Sequence, residues 1–216
     1  MSDIEYNTNG IYQENRASLS ERVIDAWSNM RGSTRRLIDE QPSEARLFFY
    51  LILSDMIFFL SWSLKVLVAP TSGSVLQMPM EIGLWLVIAL FCRSFGMYFF
   101  SILLGSGARV MGGTGTWKET RIAVFWGALI AAPFGFLFAI VTVVLTKLGH
   151  NYQILNNEWL ALTPYWLSLL PFVWGISAGL AEAHGFKRTG AVFVGMALLA
   201  ASIVFLAVYF RSQGIY

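Results

Sequence analysis

Five long apolar stretches, at about residues 47–69, 82–104, 122–146, 164–181 and 190–210, fill most of this chain. Each holds roughly 17–25 residues, the length an α-helix needs to cross a hydrocarbon core about 30 Å thick. No water is present there to bond the backbone, so each segment must satisfy its own N–H and C=O groups, and a helix does so. The expectation is an all-α integral membrane protein with five transmembrane helices. Residues 1–46 form the only sizeable polar segment, and 211–216 a short tail.

Composition agrees and excludes several classes. Charged residues make up 13% of the chain, where a soluble domain carries about 25%. A net charge of +2, with no basic run interleaved with aromatics, speaks against nucleic acid as a partner. The single cysteine, Cys92, excludes an internal disulfide and a thiolate metal cluster. The first apolar run is longer than the roughly 7–15 residues of a signal-peptide core. The first span is therefore expected to act as an uncleaved signal anchor.

Lysine and arginine placement predicts the orientation. Arg16, Arg22, Arg31, Arg35, Arg36 and Arg46 precede the first span, while the loop from Pro70 to Glu81 has no Lys or Arg. The next loop carries Arg109, Lys118 and Arg121, and the last carries Lys187 and Arg188; opposite these stand only Lys147 and Arg211. By the positive-inside rule the N-terminus is cytoplasmic and the C-terminus outside, in a multi-pass protein of the inner or plasma membrane if the host is bacterial. Trp117, Trp159, Tyr165, Tyr209 and Phe210 stand near the expected boundaries, as an interface belt requires.

Within the polar segment, Ser18-x-x-Glu21 fits a capping box. Leu19, Val23, Trp27, Met30, Leu37 and Ile38 follow at helical spacing, which predicts one amphipathic helix over about 18–40. Pro42 ends it. Two placements are open, on the inner membrane surface or against the cytoplasmic loops. Asp25, Asp39, Glu40 and Glu44 offset most of the positive charge, which argues against strong polybasic lipid binding. Residues 1–15 read as disordered.

Asp55, Lys65 and Arg93 lie inside expected spans. A charge near mid-bilayer costs at least about 2.5–3.5 kcal/mol, so it faces protein or water and takes a partner. At 1.5 Å per residue, Asp55 lies about 12 Å and Arg93 about 16–18 Å from the cytoplasmic ends of neighbouring antiparallel spans. An Asp55–Arg93 ion pair follows, either as a lock between helices or as part of a transport pathway. Lys65 and Glu81 could pair similarly near the outer face or snorkel to it.

Small residues predict where helices touch. Gly127, Ala131, Gly135 and Ala139 recur four apart in the third span, Gly175 and Gly179 form a GxxxG pair in the fourth, and Ala191 and Gly195 follow in the fifth. In lipid, such faces let backbones approach closely. Pro133 and Pro171 are expected to kink the third and fourth spans.

Three patterns imitate catalytic or binding motifs. Gly175-Ile176-Ser177-Ala178-Gly179 matches the nucleophile elbow, but it lies in an apolar helix rather than at a strand-turn-helix. His184 is about 10 Å further along that helix, too far to act as its base. Gly112-Gly113-Thr114-Gly115-Thr116-Trp117-Lys118 lacks the ending and the preceding strand of a phosphate loop. Glu182 and His184 are two potential ligands, too few for a metal site. No catalytic residue, cofactor or metal is predicted.

The stretch Gly112-Gly113-Thr114-Gly115-Thr116-Trp117-Lys118-Glu119-Thr120, leading into a span with Pro133, resembles the Yip (Ypt-interacting protein) family of small multispanning membrane proteins. So does Glu182-Ala183-His184-Gly185-Phe186-Lys187-Arg188-Thr189-Gly190-Ala191, leading into the last span. The resemblance covers about 47–210 and implies a five-span bundle with a cytoplasmic N-terminus. Eukaryotic members contact Rab-type GTPases and shape membrane trafficking, but their aspartate-leucine signature is not evident in this chain. No catalytic residues carry over.

The functional expectation is a non-enzymatic protein that organises or stabilises membrane assemblies or the bilayer, with lipid, other membrane proteins or its own copies as partners. Its contact surfaces are expected at 18–40 and at the turns 105–121 and 182–190, through Gly112, Gly113, Gly115, Trp117, Lys118, His184, Gly185, Lys187 and Arg188. The alternative is a small transporter or channel using Asp55 and Arg93.

Overall fold

The computed structural model describes residues 18–68, 79–149, 152 and 167–213, apart from the side chains at 65–68, 79–83, 85–86, 203–204, 207–208 and 211–212. The expectations for residues 1–15, for Trp159 and Tyr165 at an interface and for a Lys65–Glu81 contact lie outside the described residues. Seven helices are described: α1 (Leu19–Ser28), α2 (Met30–Asp39), α3 (Glu44–Val68), α4 (Pro79–Val110), α5 (Trp117–Gly149), α6 (Leu169–Ala183) and α7 (Thr189–Ser212). No strand occurs among the described residues. Glu44–Leu64, Val87–Val110 and Trp117–Gly149 are long and apolar enough to cross a membrane, whereas Leu169–Ala183 and Thr189–Ser202 are apolar but shorter.

α4 and α5 overrun the apolar stretches that predict them, and local caps explain where α4 stops and α5 starts. α4 continues to Val110 and closes on Gly112 at φ +87°, with Gly113 N–H bonding Ala108 O at 2.8 Å and Gly112 N–H bonding Arg109 O at 2.9 Å. That left-handed cap strains any residue with a Cβ. α5 starts early because Thr116 and Glu119 form a capping box, Thr116 Oγ1 accepting Glu119 N–H and Glu119 Oε2 accepting Thr116 N–H.

α5 is the central helix. Every residue from Ile122 to Ala131 is buried, so the helix is apolar all round there because it is covered all round. α3, α4 and α6 pack on it, and α7 packs on α6. Tyr98 of α4 meets Phe125 edge-on at 4.9 Å, and Tyr50 of α3 lies 5.2 Å from Trp126.

The segment 18–40 is two helices rather than one. Asn29, at φ −141° and ψ 72°, ends α1 and starts α2, and its side chain accepts Gly32 N–H at 3.0 Å. Side-chain capping of this kind competes with helix continuation, and periodicity alone does not register it. The α1–α2 hairpin packs on α5 and α6, with Trp126 Nε1 donating to Ser33 Oγ at 3.1 Å and Trp27 Nε1 to Ile130 O at 3.1 Å. Ile24 nevertheless stays 61% exposed.

Pro133 sits inside α5 as expected. Pro171 instead falls in the first turn of α6, where a missing N–H breaks no helical bond. Leu167 is helical and Ser168 a turn, so the helix starts anew at Leu169, just before Pro171, and the part of the expected span before Leu167 lies outside the described residues.

Candidate functional site

The two glycine-rich turns meet at one end of the bundle. α6 ends as α4 does: Gly185 has φ +71°, Phe186 N–H bonds Ala181 O at 2.8 Å, and Gly185 N–H bonds Glu182 O at 3.2 Å. Two turns with the same cap are thus set against each other, and Thr114 N–H bonds His184 O at 3.3 Å. The approach is close enough to exclude side chains. A Cβ on Gly115 would stand 2.4 Å from Ala183 O, and one on Gly113 would stand 2.8 Å from Ala108 O and 2.7 Å from His184 Nδ1.

His184 bolts the turns together. It is 2% exposed; Gly115 N–H donates to its Nδ1 at 3.2 Å, and its Nε2 lies 2.9 Å from Thr120 Oγ1. Thr120 donates its hydroxyl proton to Thr116 O at 2.9 Å, so it accepts from Nε2–H. The ring is therefore neutral, with its proton on Nε2. Burial lowers the His184 pKa from its ordinary value, Arg109 lowers it further, and Glu119 opposes them. Arg109 also stacks over Trp117, 3.6 Å from the ring centre, and donates to Gly115 O at 3.1 Å.

The tail hairpin is tied to this end by charge. Glu182 accepts from Arg31 Nε at 2.8 Å and Arg35 Nε at 2.7 Å, and Arg31 Nη2 also donates to Phe186 O at 3.0 Å. Burial alone would raise the Glu182 pKa, but Arg31 and Arg35 outweigh it and hold the carboxyl below its usual range. Glu40 is likewise lowered against its burial, by Arg22 at 2.6 Å and Arg46 at 2.8 Å.

These partners account for the imitated motifs. The N–H groups of Gly113, Thr114 and Gly115 bond Ala108, His184 O and His184 Nδ1, so they form no phosphate cradle. Glu182 turns to the arginines and His184 to Thr120, rather than to a shared ligand. Ser177 is fully buried, its hydroxyl unpartnered, while both His184 nitrogens are engaged elsewhere. Around the bolt, Trp117, Gly112, Gly185, Lys187 and Arg188 are exposed and Lys118 is half-buried. Val110 and Met111, 89% and 63% exposed, complete an apolar tip. Both lie inside the expected contact turn 105–121, where the glycines, Trp117 and Lys118 are the residues singled out.

Of the small residues, Gly127 and Gly175 face each other across α5 and α6: a Cβ on Gly127 would lie 2.9 Å from Ile176 N, and one on Gly175 would lie 3.1 Å from Gly127 O. Gly179 lies against Ala123 in the same way, at 3.1 Å from its carbonyl. Ala131 and Ala139 are buried. Gly135 and Gly195 have nothing within 4 Å, and Ala191 is exposed.

Further along α3 and α4, Arg93 Nη1 donates to Asp55 Oδ1, and Ser94 donates to Asp55 Oδ2 at 2.9 Å. Asp55 is 1% exposed. The pair links two helices at a similar depth.

The structure thus defines an all-α membrane protein whose long apolar helices are clamped at one end by paired glycine turns. The Yip1 domain family model matches residues 24–209, and the chain belongs to that family of membrane proteins. The match extends beyond the expected 47–210 into the α1–α2 hairpin, which the packing of α2 on α5 and α6 makes part of the same body. No curated protein and no solved structure matches the chain.

Proposed function

We propose that this protein is a non-enzymatic membrane organiser, using its clamped end to hold other membrane proteins or its own copies. One observation carries this reading. The turn 110–117 is immobilised from within by His184 and Arg109 while Val110, Met111 and Trp117 face outward. A braced tip with exposed apolar side chains loses little conformational freedom on binding.

In this reading the chain crosses the membrane five times, at about 47–69, 82–104, 122–146, 164–181 and 190–210, with the N-terminus cytoplasmic and Tyr216 outside. It is supported by the gathering of α1, α2 and both turns at one end. Arg31, Arg35, Arg109, Lys118, Lys187 and Arg188 then share one side, as the positive-inside rule asks. Residues 1–46 are the cytoplasmic segment and 211–216 an outer tail.

Photo-crosslinkers placed at Val110, Met111 and Trp117 in living cells test the role. Discrete protein adducts at these positions, absent from the apolar position Leu198, are expected. Adducts no different from those at Leu198 would refute it. A second reading, a small transporter, draws on the cavity lined by both Asp55 and Arg93. Solute flux into liposomes that depends on Arg93 would favour it.

A further inference from the structure

Asp55 and Arg93 line a cavity of about 280 Å³ between α3 and α4, with Phe58, Phe59 and Trp62 on one side and Ala89 and Leu90 on the other. The two charges are unequally served. Both Asp55 oxygens are bonded, and its side chain is 0% exposed. A guanidinium carries five N–H donors. Arg93 spends Nη1 on Asp55, its guanidinium carbon lies 4.6 Å from the Phe58 ring centre, and 22% of its side chain stays exposed. In hydrocarbon its remaining donors have no water to turn to.

The missing partner is an acceptor, and charge decides which kind. Asp55 already neutralises Arg93, so a second carboxylate or a phosphate would leave uncompensated negative charge in a low-dielectric site. A neutral carbonyl oxygen accepts a charge-assisted hydrogen bond without that cost. The aromatic wall suits a flat ring, which stacks or packs edge-on against Phe58, Phe59 and Trp62. The volume suits a ring-sized head, with any long tail left in the lipid.

We propose that this cavity binds an uncharged, membrane-dissolved amphiphile that sets a carbonyl oxygen on Arg93 and a ring against the aromatic wall. A quinone with an apolar tail is the chemical class that combines the two. Binding requires neither translocation nor a protein partner, so it stands apart from both functional readings.

The test uses the full chain in lipid nanodiscs, titrated with decylubiquinone and read as the unfolding midpoint temperature. Decylbenzene serves as the ring without carbonyls, and decanoate as the charged head. A saturable rise with the quinone alone is expected. Ala89→Trp fills the cavity while leaving Asp55, Arg93 and Ser94 in place. The double variant Asp55→Leu/Arg93→Met removes the guanidinium donors without stranding a charge or adding an amide donor. The double variant should weaken half-saturation by roughly tenfold to a hundredfold, the loss of one charge-assisted bond, and Ala89→Trp, by occupying the space, should weaken it at least as much. The proposal is overturned by no saturable quinone response, by an equal response to decylbenzene, by tighter binding of decanoate, or by full binding in Ala89→Trp.

Discussion

The clamped end of the bundle and its far half use similar residues to different effect. At the clamped end glycines are fixed by neighbouring backbone: Gly113, Gly115, Gly127, Gly175 and Gly179 each have foreign atoms closer than 3.2 Å to a would-be Cβ. In the far half, Gly135 of α5 has nothing within 4 Å, and Gly195 of α7, though it lies towards the clamped end, has nothing within 4 Å either. Hydrogen bonding differs in the same direction. His184, Thr120, Thr116 and the turn backbone complete one another's bonds, whereas Arg93 keeps unused donors beside a cavity. The difference teaches that small residues allow close contact but do not create it. Contact forms where caps and bonded turns fix the helices first.

The harshest way to break the comparison is Gly115→Val. Its Cβ would meet a backbone oxygen at 2.4 Å, and no rotamer of a flexible neighbour can relieve that. Separating the turns also loses the Gly115–His184 bond. The expected cost is at least about 3 kcal/mol, the upper range for overpacking, read as a collapse of the unfolding midpoint in mild detergent. An unchanged midpoint would mean that the turns are not interlocked.

Acid should act next, at the clamped end. The folded His184 pKa lies below its ordinary value of 6.5, so the stability it contributes is complete above that value. As pH falls below it, the unfolded chain takes up a proton that the folded ring, with Nδ1 accepting from Gly115, resists. Arg109 and Glu119 face the ring with opposite effects, and Phe186 stacks beside it at 6.1 Å. The midpoint should therefore drop between about pH 7 and pH 5, before the lowered Glu182 and Glu40 titrate. His184→Gln should flatten that stretch of the profile. A profile unchanged by the substitution would remove His184 from the account.

What the sequence made legible follows the strength of the physical signal. Long apolar runs located α3, α4 and α5, and helical depth arithmetic set Asp55 and Arg93 near enough to meet. The Ser18-x-x-Glu21 box marked the start of α1, which the structure builds with both reciprocal bonds. Asn29 was missed because periodicity continues through it. The equivalence of the two turns was half visible: both glycine-rich segments were recognised, but their identical caps depend on which glycine takes positive φ. The bond from His184 to Thr120 spans 64 residues, and no local pattern carries it. Thr116-x-x-Glu119 would have shown that α5 begins before its apolar run.

The gentlest test compares two glycines on one stripe of α5. Gly127→Ala places a Cβ 2.9 Å from Ile176 N of α6, so it should cost about 1–3 kcal/mol by forcing α5 and α6 apart. Gly135→Ala meets nothing within 4 Å and gains helix propensity, up to about 1 kcal/mol in a helix interior. It should leave the unfolding midpoint unchanged or raise it slightly. Opposite signs at two positions with the same spacing would show that the stripe is in close contact at Gly127 and open at Gly135. A loss at Gly135 as large as that at Gly127 would mean that another helix covers that position too, and the contrast between the two glycines would fall.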